Sequence, residues 1–146
     1  MKIDTKKSLA LIDTNILVYA YAEDSPKSKK AAELLGSCFT GKTKLALSLQ
    51  NIGEFCDVAL RKYKLDLATV NRITRQLLYY TDFIKVSYTG LILQDALQLV
   101  SMHKIEFWDA VLITTMKENA IETIYTEDAA FGKIEGIKAV NPFTQI

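Results

Sequence analysis

Short β-type apolar runs alternate with longer segments of helical period along nearly the whole chain, and this alternation restricts the fold more than any other feature. Leu9 to Ile12, Lys44 to Ser48, Phe83 to Val86, Thr123 to Thr126 and Lys138 to Val140 read as strands. Helices are expected from about Thr14 to Tyr21, from Pro26 to the Gly36–Gly41 region, and from Leu49 to Tyr63. Three more are expected from Asp66, as cap, to Tyr80, from Thr89 to Met102, and from Phe107 to Glu118, the last two joined by a turn at Lys104 and Ile105. Ser25 followed by Pro26 is a favoured helix start, and Asp128 to Phe131 reads as a short turn. Strands separated by helices pair in parallel, so the expected class is α/β with a parallel sheet.

With 146 residues, 49% hydrophobic and 24% charged, the chain fits one compact domain over residues 1–146 and can bury a core without disulfides. Its apolar runs, such as Leu45 to Leu49 and Ala110 to Ile113, fall far short of the ~20 residues that span a bilayer. The opening MKIDTKKSLALIDTN reads as a strand rather than a leader, since Asp13 and Asn15 interrupt its apolar stretch. A cytoplasmic protein is therefore expected. Cys38 and Cys56 form no CxxC pair and His103 is the sole histidine, which excludes a Cys/His zinc centre and a histidine-based triad. Both cysteines read as free buried thiols and His103 as structural.

The net charge of +1 hides an asymmetry. From Ser25 to Tyr80, ten Lys/Arg stand against four acids, a net +6; from Thr81 onward five lysines face nine acids, a net −4. Solvated helix faces would account for this, as would a basic rim beside an acidic pocket.

In an open parallel sheet the working crevice lies beyond the carboxyl ends of the strands. Asp13 directly follows the first strand, Glu127 and Asp128 the fourth; Glu54 lies early in the helix after the second, and Asp109 in the first turn of the helix from Phe107. Singly, each has a bland explanation as a helix cap, a dipole partner or a solvated acid. Asp109, however, lines up with Leu112, Ile113 and Met116, which points it inward, where an unpaired carboxylate is costly. Glu54 flanks an expected stripe of Leu49, Ile52, Gly53, Cys56, Leu60 and Tyr63, beside Asp57 and Arg61. Four carboxylates without histidine or thiol suit a hard cation, Mg2+ or Mn2+, able to activate water and offset a phosphodiester's charge. Asn15 and Thr126 are candidates to orient the ligands from behind.

Four stretches in order, LIDTNILVYA, SLQNIGEF, FWDAVLI and TEDAAF, with the closing AVNPF, resemble the PIN-domain family from about Leu9 to Phe143. The likeness is greatest to its small stand-alone members, the VapC toxins. It implies a three-layer α/β/α sandwich on a parallel sheet and Mg2+- or Mn2+-dependent endoribonuclease activity. It also implies a homodimer held inactive by a VapB-like antitoxin. By motif, Asp13 matches the first family acid, Glu54 the second, Asp109 the third and Asp128 the fourth, with Asn15 as the polar residue after the first. Glu127 beside Asp128 leaves open which of the two points inward.

The leading expectation is thus an RNA endonuclease in which Asp13, Glu54, Asp109 and Asp128 hold metal. Basic residues, Arg61, Lys62 and Lys64 foremost, would meet phosphate. A housekeeping RNA-processing nuclease, or an RNA- or protein-binding module of the same fold without turnover, would share these residues. A haloacid-dehalogenase-type phosphatase is disfavoured because Asn15 stands where its second aspartate belongs. Tyr79 and Tyr80, with Leu77 and Leu78, serve either as core or as a docking face. Trp108 is expected to be core rather than a base-stacking residue.

Overall fold

Every expected strand forms, and all lie parallel in one sheet. The computed structural model describes residues 8–144, so the reading of the lysine-bearing start, Lys2, Lys6 and Lys7, lies outside the described residues. Strands β1 (Leu9–Ile12), β2 (Lys44–Ser48), β3 (Phe83–Val86), β4 (Thr123–Tyr125) and β5 (Lys138–Val140) stand in the order β3-β2-β1-β4-β5. The helices are α1 (Thr14–Tyr21), α2 (Pro26–Phe39), α3 (Leu49–Arg61), α4 (Leu67–Tyr79), α5 (Gly90–His103) and α6 (Phe107–Glu118), followed by a 3-10 turn at Ala129–Lys133.

The period of two along each strand sorts its side chains to opposite faces. Ala10, Ile12, Leu45, Leu47 and Phe83 pack under α1 to α4, where Ile16, Leu35, Phe55, Ile73 and Leu77 complete one core. Leu11, Ala46, Val86 and Ile124 face the other way, onto Leu112, Ile113 and Met116 of α6 and Phe131 and Ile134 near the 3-10 turn. Helix α5 packs outside α6 through Ile92, Ala96, Ala110 and Val111. Helices on both faces of a parallel sheet make the three-layer α/β/α sandwich.

Helix starts follow local chemistry. Asp13, Ser25, Ser48, Asp66 and Thr89 each accept a backbone N–H of the helix that follows. Helix α3 stops at Arg61, short of the expected Tyr63, and Lys64 adopts a left-handed φ of 56°. Its inward face is also rotated from the expected stripe: Asn51, Ile52, Phe55 and Ala59 are buried, while Leu49, Gly53 and Leu60 are exposed. Both stripes satisfy a 3.6-residue period, and burying the large Phe55 ring decides between them. Helix α6 is buried on all sides from Ala110 to Met116, and Thr114 and Thr115 satisfy their hydroxyls on carbonyls four residues back. Cys38 is a buried free thiol as expected, but Cys56 is only half-buried, beside the Thr74 hydroxyl. His103 ends α5 in solvent. Among the described residues no helix is long and apolar enough to cross a membrane.

The strand order positions the site. The chain steps from β1 outward through β2 to β3, then returns to the other side of β1 for β4. The direction reverses between β1 and β4, and a crevice opens at their carboxyl ends. Asp13 and Thr126 leave the sheet there, tied by the Asp13 N–H to the Tyr125 carbonyl at 3.1 Å.

Candidate active site

Asp13 belongs to both local structure and the crevice. One carboxylate oxygen, Oδ1, caps α1 by accepting the Thr14 N–H at 2.8 Å. The other, Oδ2, accepts the Thr126 hydroxyl at 2.6 Å and the Asn15 side-chain amide at 3.3 Å. Capping and site formation are therefore compatible roles for one side chain. Burial raises the Asp13 carboxyl above its ordinary value; Thr126 and the Thr14 amide oppose the rise, and the charges of Glu54 and Asp128 add to it.

Beyond β4, the two adjacent acids part company. Thr126 is buried and its hydroxyl also accepts the Asp128 N–H at 2.9 Å, which fixes the turn. Glu127 points to α1 and α2, where it accepts the Tyr19 hydroxyl at 2.6 Å and forms a short ion pair with Lys27. Those two donors pull its carboxyl below the usual range against the opposing effect of burial. Asp128 caps the 3-10 turn through the Ala130 N–H at 3.0 Å, and its charge bears on both Asp13 and Asp109.

On the other side of β1, Ser48 at the end of β2 holds Asn51, donating from its hydroxyl to the Asn51 Oδ1 at 2.7 Å and accepting the Asn51 N–H at 2.9 Å. Asn51 in turn donates to the Thr14 hydroxyl at 2.9 Å and reaches the Asp13 Oδ1 at 3.5 Å. Thr14 donates to Glu54 at 3.3 Å, and Gln50 bridges Glu54 Oε1 at 3.2 Å and the Trp108 carbonyl at 3.0 Å. Sequence reading missed Ser48, Asn51 and Gln50. The one available signal was a Ser with an Asn three residues on, at the end of a strand.

Asp109 sits in the first turn of α6, and its carboxyl is pushed up to about 6. Burial is the largest cause, followed by the negative charges of Asp128, Glu106, Asp13 and Glu54. The charges of Glu54 and Asp128 thus bear on both Asp13 and Asp109 across the crevice, and Glu106, which sequence reading did not include, bears on Asp109.

The donor set is made only of oxygens and suits a hard cation. Among the described residues no three Asp, Glu, His or Cys side chains stand close enough to enclose an ion by themselves. The buried Oδ1 of Asn15 lacks a hydrogen-bond partner, an acceptor that water around an ion would satisfy.

Two cavities flank the acids and share Glu54. One, of about 430 Å³, brings Asn15, Lys62 and Tyr63 beside Asp13; the other, of about 690 Å³, joins Gln50, Gly53, Tyr88 and Trp108 to Asp109. Trp108, expected in the core, is instead 50% exposed and lines the second cavity. Of the basic candidates, Lys62 lines the first cavity, Arg61 pairs with Asp57 at 3.2 Å in solvent, and Lys64 lines neither. Lys44 pairs with Leu9 in the β1–β2 register, at the end of the sheet opposite Asp13. The +6 segment is therefore not one continuous rim. Tyr79 and Tyr80 also divide, Tyr79 standing 75% exposed while Tyr80 packs edge-on to Phe39 and Phe83.

Comparison with known proteins places this geometry. No curated protein matches the sequence. The backbone is similar to a chain of a toxin–antitoxin complex from Klebsiella pneumoniae, with 23% identity, a TM-score of 0.65, and coverage of 92% of this chain and 98% of that one. It is also similar to VapC20 of Mycobacterium tuberculosis, a sarcin–ricin-loop-cleaving toxin, at 18% identity and a TM-score of 0.70, covering 86% and 94%. FitAcB of Neisseria gonorrhoeae superimposes at 18% identity with a TM-score of 0.63, covering 92% and 99%. At such identities the likeness is one of fold. The sequence itself matches the model of the PIN domain over residues 10–137, most of its length, and the chain therefore belongs to the PIN domain family.

Proposed function

We propose that this single-domain chain is a divalent-metal-dependent endoribonuclease, hydrolysing RNA phosphodiester bonds as the toxin of a type II toxin–antitoxin pair. The observation that carries the reading is the half-buried Asp109 at the sheet's reversal point, where burial first and the charges of Asp128, Glu106, Asp13 and Glu54 after it lift its carboxyl to about 6. Nothing but a cation or a proton relieves such a cluster.

Asp13 and Asp109, with Glu54 and Asp128, would hold Mg2+ or Mn2+. When bound, the ion supplies the acidity that makes water nucleophilic at neutral pH and the charge that offsets phosphodiester oxygens. Thr126 and Asn15 hold one oxygen of Asp13 and the α1 amide holds the other, so its carboxylate is oriented before any ligand arrives. Lys62, in the cavity with Asp13, is placed to take a neighbouring backbone phosphate, with a smaller part for Arg61 and Lys64. Glu127, committed to Tyr19 and Lys27, stays outside the ligand set.

The structural neighbour named as a toxin–antitoxin complex supports a protein antitoxin as partner, which we take to be VapB-like; a cytoplasmic homodimer completes the proposal. Exposed Leu67, Tyr79, Leu91 and Met102 offer surface for such partners to cover. The test is incubation of purified protein with structured RNA in Mn2+, in Mg2+ and in chelator, beside Asp109→Asn at matched concentration. Metal-dependent cuts absent from the variant are expected. Equal behaviour of both proteins would overturn the reading, and growth arrest by both on overexpression would mark a binding module.

A further inference from the structure

The larger cavity beside the acids has walls of a kind that ion binding does not require. Trp108 and Tyr88 lie 50% and 37% exposed on one side, with ring centroids 5.8 Å apart and planes tilted by 59°. Such large apolar rings are left in water at a cost unless something covers them. Opposite them runs the first half of α3, with Leu49 45% exposed and Gly53 at its surface. A β-carbon built on Gly53 would meet nothing within 4 Å, so neither packing nor backbone conformation explains a glycine there. Glycine inside a helix costs about 1 kcal/mol relative to alanine. What it provides is space on the cavity side of the helix.

The charges lining the space decide what enters it. Glu54, Glu106 and Asp109 contribute carboxylates, and among the described residues no Lys, Arg or His lines it. A phosphate would be repelled here and is better served by Lys62 in the neighbouring cavity. A flat, uncharged ring with N–H donors at its edge meets both demands, stacking on Trp108 and donating to the surrounding acceptors.

From this we infer that the cavity formed by Trp108, Tyr88, Gln50 and Gly53 is a subsite for one unpaired nucleobase next to the scissile phosphate, with a preference for bases carrying an exocyclic amine. The inference rests on the RNA-cleaving reading above and adds to it a determinant of where the strand is cut. A strand crossing the acids would lay a phosphate toward Lys62 on one side and turn a base into the aromatic cavity on the other.

Trp108 is the one tryptophan of the chain, so its fluorescence reports this cavity alone. Single-stranded tetraribonucleotides are titrated at low salt with chelator present, following Trp108 emission and, separately, binding by fluorescence anisotropy of a labelled strand. Expected are stronger quenching by strands containing adenine, cytosine or guanine than by oligouridine, loss of quenching with an abasic strand, and loss with Gly53→Leu, which narrows the space. Gly53→Leu should melt no lower than wild type, because leucine favours the helix and its β-carbon meets no neighbour. With metal present, Trp108→Ala should lower discrimination among nucleotides beside the cut by roughly ten-fold, and Trp108→Phe should retain most of it. RNA that binds and is cut without quenching, or with nucleotide preference unchanged in Trp108→Ala and Gly53→Leu, overturns the subsite but leaves the nuclease standing. Quenching by a tetra-arginine peptide and not by RNA would assign the cavity to a cationic side chain and overturn it as well. A protein that neither binds nor cuts RNA fails both readings together.

Discussion

Asp109→Asn should make the metal-free protein more stable while removing its activity. The Asp109 carboxyl moves from an ordinary 3.8 to about 6 in the folded chain, through burial first and the charges of Asp128, Glu106, Asp13 and Glu54 after it. A carboxyl raised on folding costs nothing well below its ordinary 3.8, where it is protonated in both states; the cost grows as pH rises from there to about 6 and is fully present above. At about 1.4 kcal/mol per pH unit the upper bound at neutral pH is about 3 kcal/mol. Asp109 is partly open to solvent, so screening reduces this to about 1–2 kcal/mol. For a chain of this length the unfolding entropy is about 0.3 kcal/mol/K, so the variant should melt about 3–6 °C higher at pH 7.5 in chelator. At pH 4 the difference should shrink to a small fraction of its value at pH 7.5. Calorimetric scans of both proteins at the two pH values measure it. A variant melting at or below wild type at pH 7.5, or a gap of the same size at pH 4, would refute the claim that Asp109 is held against its own repulsion. Saturating Mg2+ should reverse the order, because binding at one hundred times Kd adds about 2.7 kcal/mol to whichever protein binds it.

Mn2+ affinity of the wild type, measured by isothermal titration, should rise as pH climbs through 6 and level off above 7, since the ion competes with the Asp109 proton; a flat profile would speak against Asp109 as a ligand. Asp128→Asn should lose RNA cleavage while Glu127→Gln keeps most of it, because Glu127 is committed to Tyr19 and Lys27; the reverse ranking in a cleavage assay would exchange their roles. Lys62→Glu should weaken RNA binding at low salt several-fold, and Arg61→Glu less, as Arg61 already pairs with Asp57 in solvent; anisotropy with a labelled strand ranks them. Phe55→Ala, at the centre of the core under α1 to α4, should cost about 3–5 kcal/mol in urea unfolding; a loss under 1 kcal/mol would mean that α3 is not anchored by that ring.

The element order was legible because it depends on local properties. Period-two apolar runs at Leu9–Ile12 and Lys44–Ser48, cap residues at Asp13, Ser25 and Asp66, and the break at Lys104 all act over a few residues, and each element formed where its own residues favour it. Boundaries drifted where a turn had a conformation the pattern does not encode, as at Lys64 with its left-handed backbone. The α3 stripe was misread because two faces share one helical period, and only the space beneath β1 and β2 selected Phe55 over Leu49 and Leu60.

The site divides along the same line. That acids follow strands in a parallel α/β chain is written in the order of residues, so Asp13, Glu54, Asp109 and the Glu127–Asp128 pair could be named from position, with Asp128 singled out only by the motif resemblance. The sequence by itself therefore determined the class of fold, the candidate acids and the absence of histidine or thiol chemistry. Tertiary structure alone decided what those acids meet. Pairing β4 against β1 brings Thr126 across 113 residues of chain to the carboxylate of Asp13. Placement of α1 and α2 beside β4 draws Glu127 to Tyr19 and Lys27 and leaves Asp128 to the crevice. The packing around the first turn of α6 leaves Trp108, which its apolar neighbours had suggested was core, half exposed in the cavity wall. Each of these depends on distances between segments far apart in sequence, and a pattern of residues along one strand or one helix carries no record of them.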